Sequence, residues 1–244
     1  MHDLIANREI LVVGGSSGMG LATARQCLAQ NGRVKIVGRN RDRLDSAIAY
    51  LGGPDERIVS IQADASTEEG RAKIFAGVRS IDHMVVTSAN LSYKPLAQFD
   101  LNSVRLALAS KIEAPFFLSQ SAAPMLAKDG SITFVSGIAA YRPIPGGSIT
   151  ATVNGALEAM VRALCQELAP VRVNAVSPGW IDTPIWSTII SDDQKAAAHA
   201  AMAERIPARR IGQAEDVAAA IVSIMENPHI SGTVLHVDGG QQLV

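Results

Sequence analysis

Seven short runs rich in β-branched residues, at positions 9–13, 34–37, 57–62, 83–87, 131–135, 171–176 and 233–237, alternate with longer, alanine-rich stretches. That alternation constrains the fold more than anything else in the sequence. The stretches at 19–31, 41–50, 68–77, 104–126, 150–168 and 214–225 place apolar residues at helical spacing. Parallel strands need a crossover, and its helix covers one face of the sheet, so strand and helix taking turns predicts βαβ units. The expected fold class is α/β, a doubly wound parallel sheet in a single domain over residues 1–244, with no repeat or low-complexity linker dividing it.

Composition removes several functions. With 48% hydrophobic and 18% charged residues, disorder is a poor fit. Lys and Arg number 22 against 23 Asp and Glu, so no basic field exists to hold nucleic acid or an anionic membrane surface. No apolar run reaches the roughly 18–20 residues of a spanning helix. Asp3 and Glu9 interrupt the start of the chain where an export signal would be basic and then greasy, so a cytoplasmic location is expected. Cys27 and Cys165 lie in helix-like segments and read as free, buried thiols, and the five histidines show no metal-binding spacing. The least regular segment, 180–207, carries both Trp180 and Trp186 and follows a strand at the edge where ligands bind in such sheets; it is expected to be a substrate lid.

The first strand runs into Val13-Gly14-Gly15-Ser16-Ser17-Gly18-Met19-Gly20, and a helical pattern follows at once. Glycines let the backbone turn sharply and approach a pyrophosphate, while the helix N-terminus offers free N–H groups and positive dipole. This is an anion cradle. The same residues also satisfy Gly-x-Ser-x-Gly through Gly14, Ser16 and Gly18, the nucleophile-elbow pattern of hydrolases. That alternative would need Asp64 and His236 to serve without a supporting pattern.

On these residues the chain resembles the short-chain dehydrogenase/reductase family. Its Thr-Gly-x-x-x-Gly-x-Gly motif matches Gly14, Gly18 and Gly20, with Val13 in place of Thr. Further matches are Asp64 after the third strand, Val173-Asn174-Ala175-Val176-Ser177-Pro178-Gly179 followed by Thr183-Pro184, and His236-Val237-Asp238-Gly239-Gly240. The resemblance implies a Rossmann-type domain, a small-molecule substrate, a homodimer or homotetramer, and a nicotinamide coenzyme. On that reading Gly14, Ser16, Ser17, Gly18, Met19 and Gly20 form the phosphate turn, Asp64 and Ala65 border the adenine, and Ser88 and Ala89 follow the fourth strand. Pro178, Gly179, Ile181 and Thr183 would surround the nicotinamide. Where a carboxylate would hold the ribose of NAD(H), this chain has Gly38-Arg39-Asn40; a guanidinium can pair with a 2′-phosphate, so NADP(H) is the expected coenzyme.

The family's tyrosine and lysine, four residues apart on one helix face, fall here on Thr150 and Asn154. A threonine hydroxyl is too weak an acid to exchange a proton near neutrality, and an amide carries no charge. The family's serine aligns with Gly137, with Ser136 one residue earlier, and its asparagine with Lys111. Lys111 facing Asn154 would be the usual pair with members exchanged, so both are expected beside the coenzyme ribose. A relocated proton donor would have to be Tyr141, the first candidate, or Tyr93. The expected function is an NADP(H)-dependent oxidoreductase acting on a small or medium apolar carbonyl, enone or imine. The alternatives are a catalytically silent coenzyme-binding sensor or partner subunit, and a non-redox isomerase or cyclase.

Overall fold

The computed structural model describes residues 4–90, 92–188 and 191–244. Its strands are β1 (Glu9–Val13), β2 (Arg33–Gly38), β3 (Ile58–Gln62), β4 (Ile81–Val86), β5 (Leu126–Val135), β6 (Arg172–Pro178), β7 (Ile181–Asp182), β8 (Gly212–Gln213) and β9 (Val234–Val237). The helices are α1 (Gly18–Ala29), α2 (Arg41–Tyr50), α3 (Glu68–Phe75), α4 (Leu101–Leu108), α5 (Ala114–Ala122), α6 (Ser148–Glu167), α7 (Asp192–Arg205) and α8 (Ala214–Glu226).

β1 shows why the sheet is covered on both faces. Leu11 and Val13 belong to one apolar cluster with Ile74 of α3, Leu118 of α5 and Leu157 of α6. Ile10 and Val12 belong to the other, with Cys27 of α1, Leu44 of α2 and Ile221 of α8. Successive side chains of a strand point to opposite faces, so a run apolar at every position needs a helical layer on each side. The main sheet is parallel throughout, in the order β3-β2-β1-β4-β5-β6-β9, and β7 pairs with β8 in a separate two-stranded ribbon. The order reverses between β1 and β4, which opens a crevice at the carboxyl ends of those strands.

Three sequence expectations are corrected. The single helix expected at 104–126 begins earlier, at Leu101, where Asp100 accepts the Ser103 N–H at 2.7 Å, and it is broken by a π turn at Ala109–Glu113. It ends before Leu126, because Pro124 cannot continue the helical hydrogen bonding and β5 has already begun. The irregular segment expected at 180–207 instead holds β7, a single 3₁₀ stretch at Pro184–Thr188 and α7; Ile189 and Ile190 lie outside the described residues. Cys165 is only partly buried and contacts Ser231 Oγ at 3.1 Å, whereas Cys27 is fully buried. Among the described residues no helix is long and apolar enough to cross a membrane, and no group of three or more His, Cys, Asp or Glu side chains could hold a metal.

At the amino ends of the strands, far from the crevice, His83 of β4 is buried and its Nδ1 lies 2.8 Å from Ser131 Oγ of β5. Burial first, then the charge of Arg172, pushes its pKa down to about 4. The unfolded chain therefore binds a proton here near the ordinary value of about 6.5 that the folded chain refuses until about pH 4, so stability is lost as pH falls through that window. Urea unfolding at pH 7 and pH 4.5 should show His83 contributing about 2–3 kcal/mol of the acid loss, and His83→Asn should remove that share. An equal acid loss in the variant would refute this.

Candidate active site

The crevice is shaped first by the turn after β1. Gly14 adopts φ +92° and its N–H reaches Val37 O at 2.9 Å, drawing the chain back over β2 before α1 begins. A Cβ on Gly20 would stand 2.3 Å from Gly14 O, so α1 can enter this close to the turn only without a side chain there. The N-termini of α2, α3 and α4 are capped by Asn40, Thr67 and Asp100. α1 differs: Ser17 occupies its N-cap with no side-chain bond, and its first turn holds no acidic residue. No capping side chain takes the N–H groups of its first turn.

At the end of β2, Asn40 spends its side chain on the Arg43 N–H at 2.8 Å, while Arg39 and Arg43 form no ion pair among the described residues. Asp64, past β3, accepts the Ser66 N–H at 2.9 Å and hydroxyl at 2.6 Å. Burial pushes its carboxyl up, but those two bonds and the field of Arg39 bring it below the ordinary value.

The floor is the end of β5. Lys111, on the π turn, is 3% exposed and donates from Nζ to Val135 O at 2.6 Å and Ser136 O at 3.0 Å. Burial lowers its pKa to about 8, opposed by the carboxylate of Glu158. Asn154 of α6 approaches the next carbonyl, Gly137 O, from Nδ2 at 3.5 Å, and its Oδ1 is buried without a partner. The two side chains thus grip three successive carbonyls, with no hydrogen bond between them among the described residues. A Cβ on Gly137 would lie 2.9 Å from Asn154 Nδ2, so the family's serine would displace this amide.

Glu158, one turn beyond Asn154, is buried and takes the Ser136 hydroxyl at 2.6 Å and the Tyr141 hydroxyl at 2.6 Å. Tyr141 packs edge-on against His236 at 4.6 Å and does not line the crevice, and its pKa is pushed up to about 12 by burial and by the bond to Glu158. Tyr93 stands differently. Its ring lies against Gly147, where a Cβ would be 3.3 Å from Cε1, and it lines the crevice together with Thr150. Burial raises its pKa, with Thr150 pulling the other way. The loop is fixed on both sides: Lys94 N–H to Gly146 O at 3.0 Å, Thr150 Oγ1 to Ser92 O at 3.1 Å, and Lys94 Nζ to Asp100 Oδ2 at 2.8 Å and Ser103 Oγ at 2.7 Å.

These elements enclose one cavity of about 900 Å³. Every position that the sequence assigned to a coenzyme lines it except Gly20, which packs on Gly14 instead. Ser136 and Thr150 also line it, and Tyr141 does not, because its hydroxyl is turned to Glu158. The sequence reading missed Arg43, Ser110 and Ile144, which line the cavity, and Glu158, which does not. Glu158 had a signal: residues 150, 154 and 158 follow at helical spacing on one face of α6.

Fold and turn together define a Rossmann-type α/β domain with its cavity at the topological switch point. Residues 13–242 match a family model described as enoyl-(acyl carrier protein) reductase. The chain is 30% identical to the short-chain dehydrogenase/reductase malC of Malbranchea aurantiaca, over 99% of this chain and 97% of that one. The structure of MalC reductase/Diels-Alderase from that organism superposes with a TM-score of 0.91, covering 99% of each chain at 29% identity. A small-chain dehydrogenase in complex with NADPH superposes at 0.85, with 27% identity over 98% of this chain and all of the other. The chain belongs to the short-chain dehydrogenase/reductase family, whose members are nicotinamide-dependent oxidoreductases.

Gly20→Ala forces a methyl against the Gly14 carbonyl, a backbone atom that cannot swing away. Urea unfolding should show a loss of about 1–3 kcal/mol; an unchanged midpoint would mean that the turn relaxes freely.

Proposed function

We propose that the chain is an NADP(H)-dependent reductase of an apolar carbonyl, enone or imine, working without the Tyr-x-x-x-Lys pair and taking its proton from Tyr93. The observation that carries this reading is that Tyr93 lines one cavity with Thr150, the α6 position at which the family's tyrosine would stand, and with the α1 N-terminus, its loop being pinned to α6 by Thr150 Oγ1 to Ser92 O at 3.1 Å. The donor set suits the coenzyme. The α1 N–H groups would hold the pyrophosphate, Arg39 and Arg43, which form no ion pair among the described residues, would hold a 2′-phosphate, and the buried, partnerless Asn154 Oδ1 would accept a ribose hydroxyl. When bound, NADPH supplies the hydride.

The chain's own residues handle the rest. Tyr93, its pKa raised by burial, stays protonated near neutrality and donates to the substrate oxygen or nitrogen as negative charge develops there. Thr150 holds the loop that carries the phenol, through its bond to Ser92 O. Lys111 spends two of its three N–H donors on carbonyls and keeps positive charge beneath the reacting end, where it stabilises an anionic transition state. Trp180, Ile181 and the Thr183–Ser187 stretch form the substrate-side wall. The exposed Leu101, Phe116 and Phe117 of α4 and α5 are assigned to contact with a second copy of the chain, as a homodimer or homotetramer.

A second reading has one observation in its favour. The Malbranchea aurantiaca protein is described as both reductase and Diels-Alderase, and a cavity with these apolar walls could fold a flexible substrate for ring closure without consuming coenzyme. NADPH bound but never oxidised during product formation would favour that chemistry.

Calorimetry should find NADPH bound at least about 10-fold more tightly than NADH, and Arg39→Ala should erase most of the preference. Equal affinities would remove the phosphate role. With carbonyl probes and loss of NADPH absorbance as the assay, Tyr93→Phe should lower kcat by about 10²–10⁴-fold with KM little changed, while Tyr50→Phe, on the exposed end of α2, serves as the control. A loss confined to Tyr141→Phe would return the proton to the Glu158 side.

A further inference from the structure

The substrate end of the cavity carries more aromatic surface than a small aliphatic carbonyl could use. The chain's two tryptophans, Trp180 and Trp186, both line it. Their ring centroids are 4.4 Å apart at an interplanar angle of 48°, an open wedge rather than a closed stack.

The wedge is built in. Trp186 Nε1 donates to Ile181 O at 2.6 Å, the Trp180 N–H goes to Gln241 Oε1 at 3.0 Å, and Trp180 O accepts the Gly212 N–H at 3.0 Å. Behind it, His199 of α7 stands edge-on to Trp186 at 5.1 Å and to Trp180 at 6.1 Å, outside the cavity lining, with its Nε2 buried and unpartnered. α7 is tied back by Lys195 Nζ to Asp182 Oδ1 at 2.6 Å. Across the cavity, Ile144 and Leu106 supply apolar surface, and Tyr93 and Thr150 supply the hydroxyls.

Charge narrows the choice of ligand. The ionised side chains lining the cavity are Arg39, Arg43, Asp64 and Lys111, and Asp64 is taken up by Ser66. Aromatic walls can serve a cationic ligand, but with Arg39 and Arg43 given to the coenzyme the charged group left at this end is the Lys111 ammonium, and no free carboxylate lines the cavity, so an ammonium is disfavoured. What two indole faces and a positive floor accept is a flat, neutral or anionic conjugated ring, held by offset or edge-to-face ring contacts.

We infer that the substrate is a flat, conjugated ring carbonyl that lies against Trp180 and Trp186 with its oxygen toward Tyr93. The inference deepens the reductase reading and rests on it for which end of the cavity reacts; recognition of the ring needs only the wedge. Because both tryptophans line the cavity, intrinsic fluorescence reports on it directly.

The test compares two α-diketones of unlike shape: phenanthrenequinone, flat and conjugated, and camphorquinone, globular and saturated. Tryptophan quenching, with calorimetry as a second readout, should show saturable binding of phenanthrenequinone and at least about 10-fold weaker binding of camphorquinone. Trp186→Leu should weaken the flat ligand about 10-fold, while Trp186→Phe, which keeps a ring, should stay within about threefold. Equal affinity for the two diketones, or a leucine variant that melts normally and binds as wild type does, overturns the inference. If Trp186→Leu does not fold, the two-ligand comparison and the phenylalanine variant still decide. Tight flat-ring binding without NADPH consumption would sink the reductase reading alone, and NADPH-driven turnover that prefers camphorquinone would sink this one alone.

Discussion

A fully buried ammonium must be given acceptors, and the way Lys111 finds them organises the centre of this molecule. An uncompensated charge at that depth would destabilise the fold by several kcal/mol. Here the last carbonyls of β5 face it, and Glu158 adds charge of opposite sign. The π turn at Ala109–Glu113 contributes an extra residue to the helix, which shifts the phase of Lys111 relative to α5. Placed there, the Lys111 ammonium reaches the Val135 and Ser136 carbonyls where β5 ends.

The opposite rim is governed by what the backbone does alone. Three neighbouring helices close their N-termini with side chains of their own, and α1 does not. The glycine turn, Arg39 just past β2 and Arg43 of α2 line the same cavity as Lys111.

Much of this was legible in the sequence. Strand positions could be read because a strand buried on both faces tolerates only apolar residues, and the phosphate turn because Gly14 and Gly20 occupy places where a side chain would collide with backbone. α7 escaped because its run of alanines among charged residues leaves only a faint apolar stripe, and the π turn because no residue pattern marks an inserted position. The proton-handling groups were harder still. Tyr141 and Tyr93 look equivalent on paper; only tertiary contacts show that one hydroxyl is captured by Glu158, while the other loop is fastened to Thr150 across 58 positions of chain. The sequence comparison set Lys111 facing Asn154; among the described residues the two share no hydrogen bond, Lys111 turning to Val135 O and Ser136 O and Asn154 to Gly137 O.

Lys94 fastens the chain after β4 twice, its N–H to Gly146 O and its Nζ to Asp100 and Ser103. The facing wall is pinned as well: Trp186 to Ile181 O, Trp180 to Gln241 and Gly212, and α7 to Asp182 through Lys195. With both walls anchored, a change in the molecules accepted would have to come by substitution of the side chains that face the cavity, which leaves its frame intact.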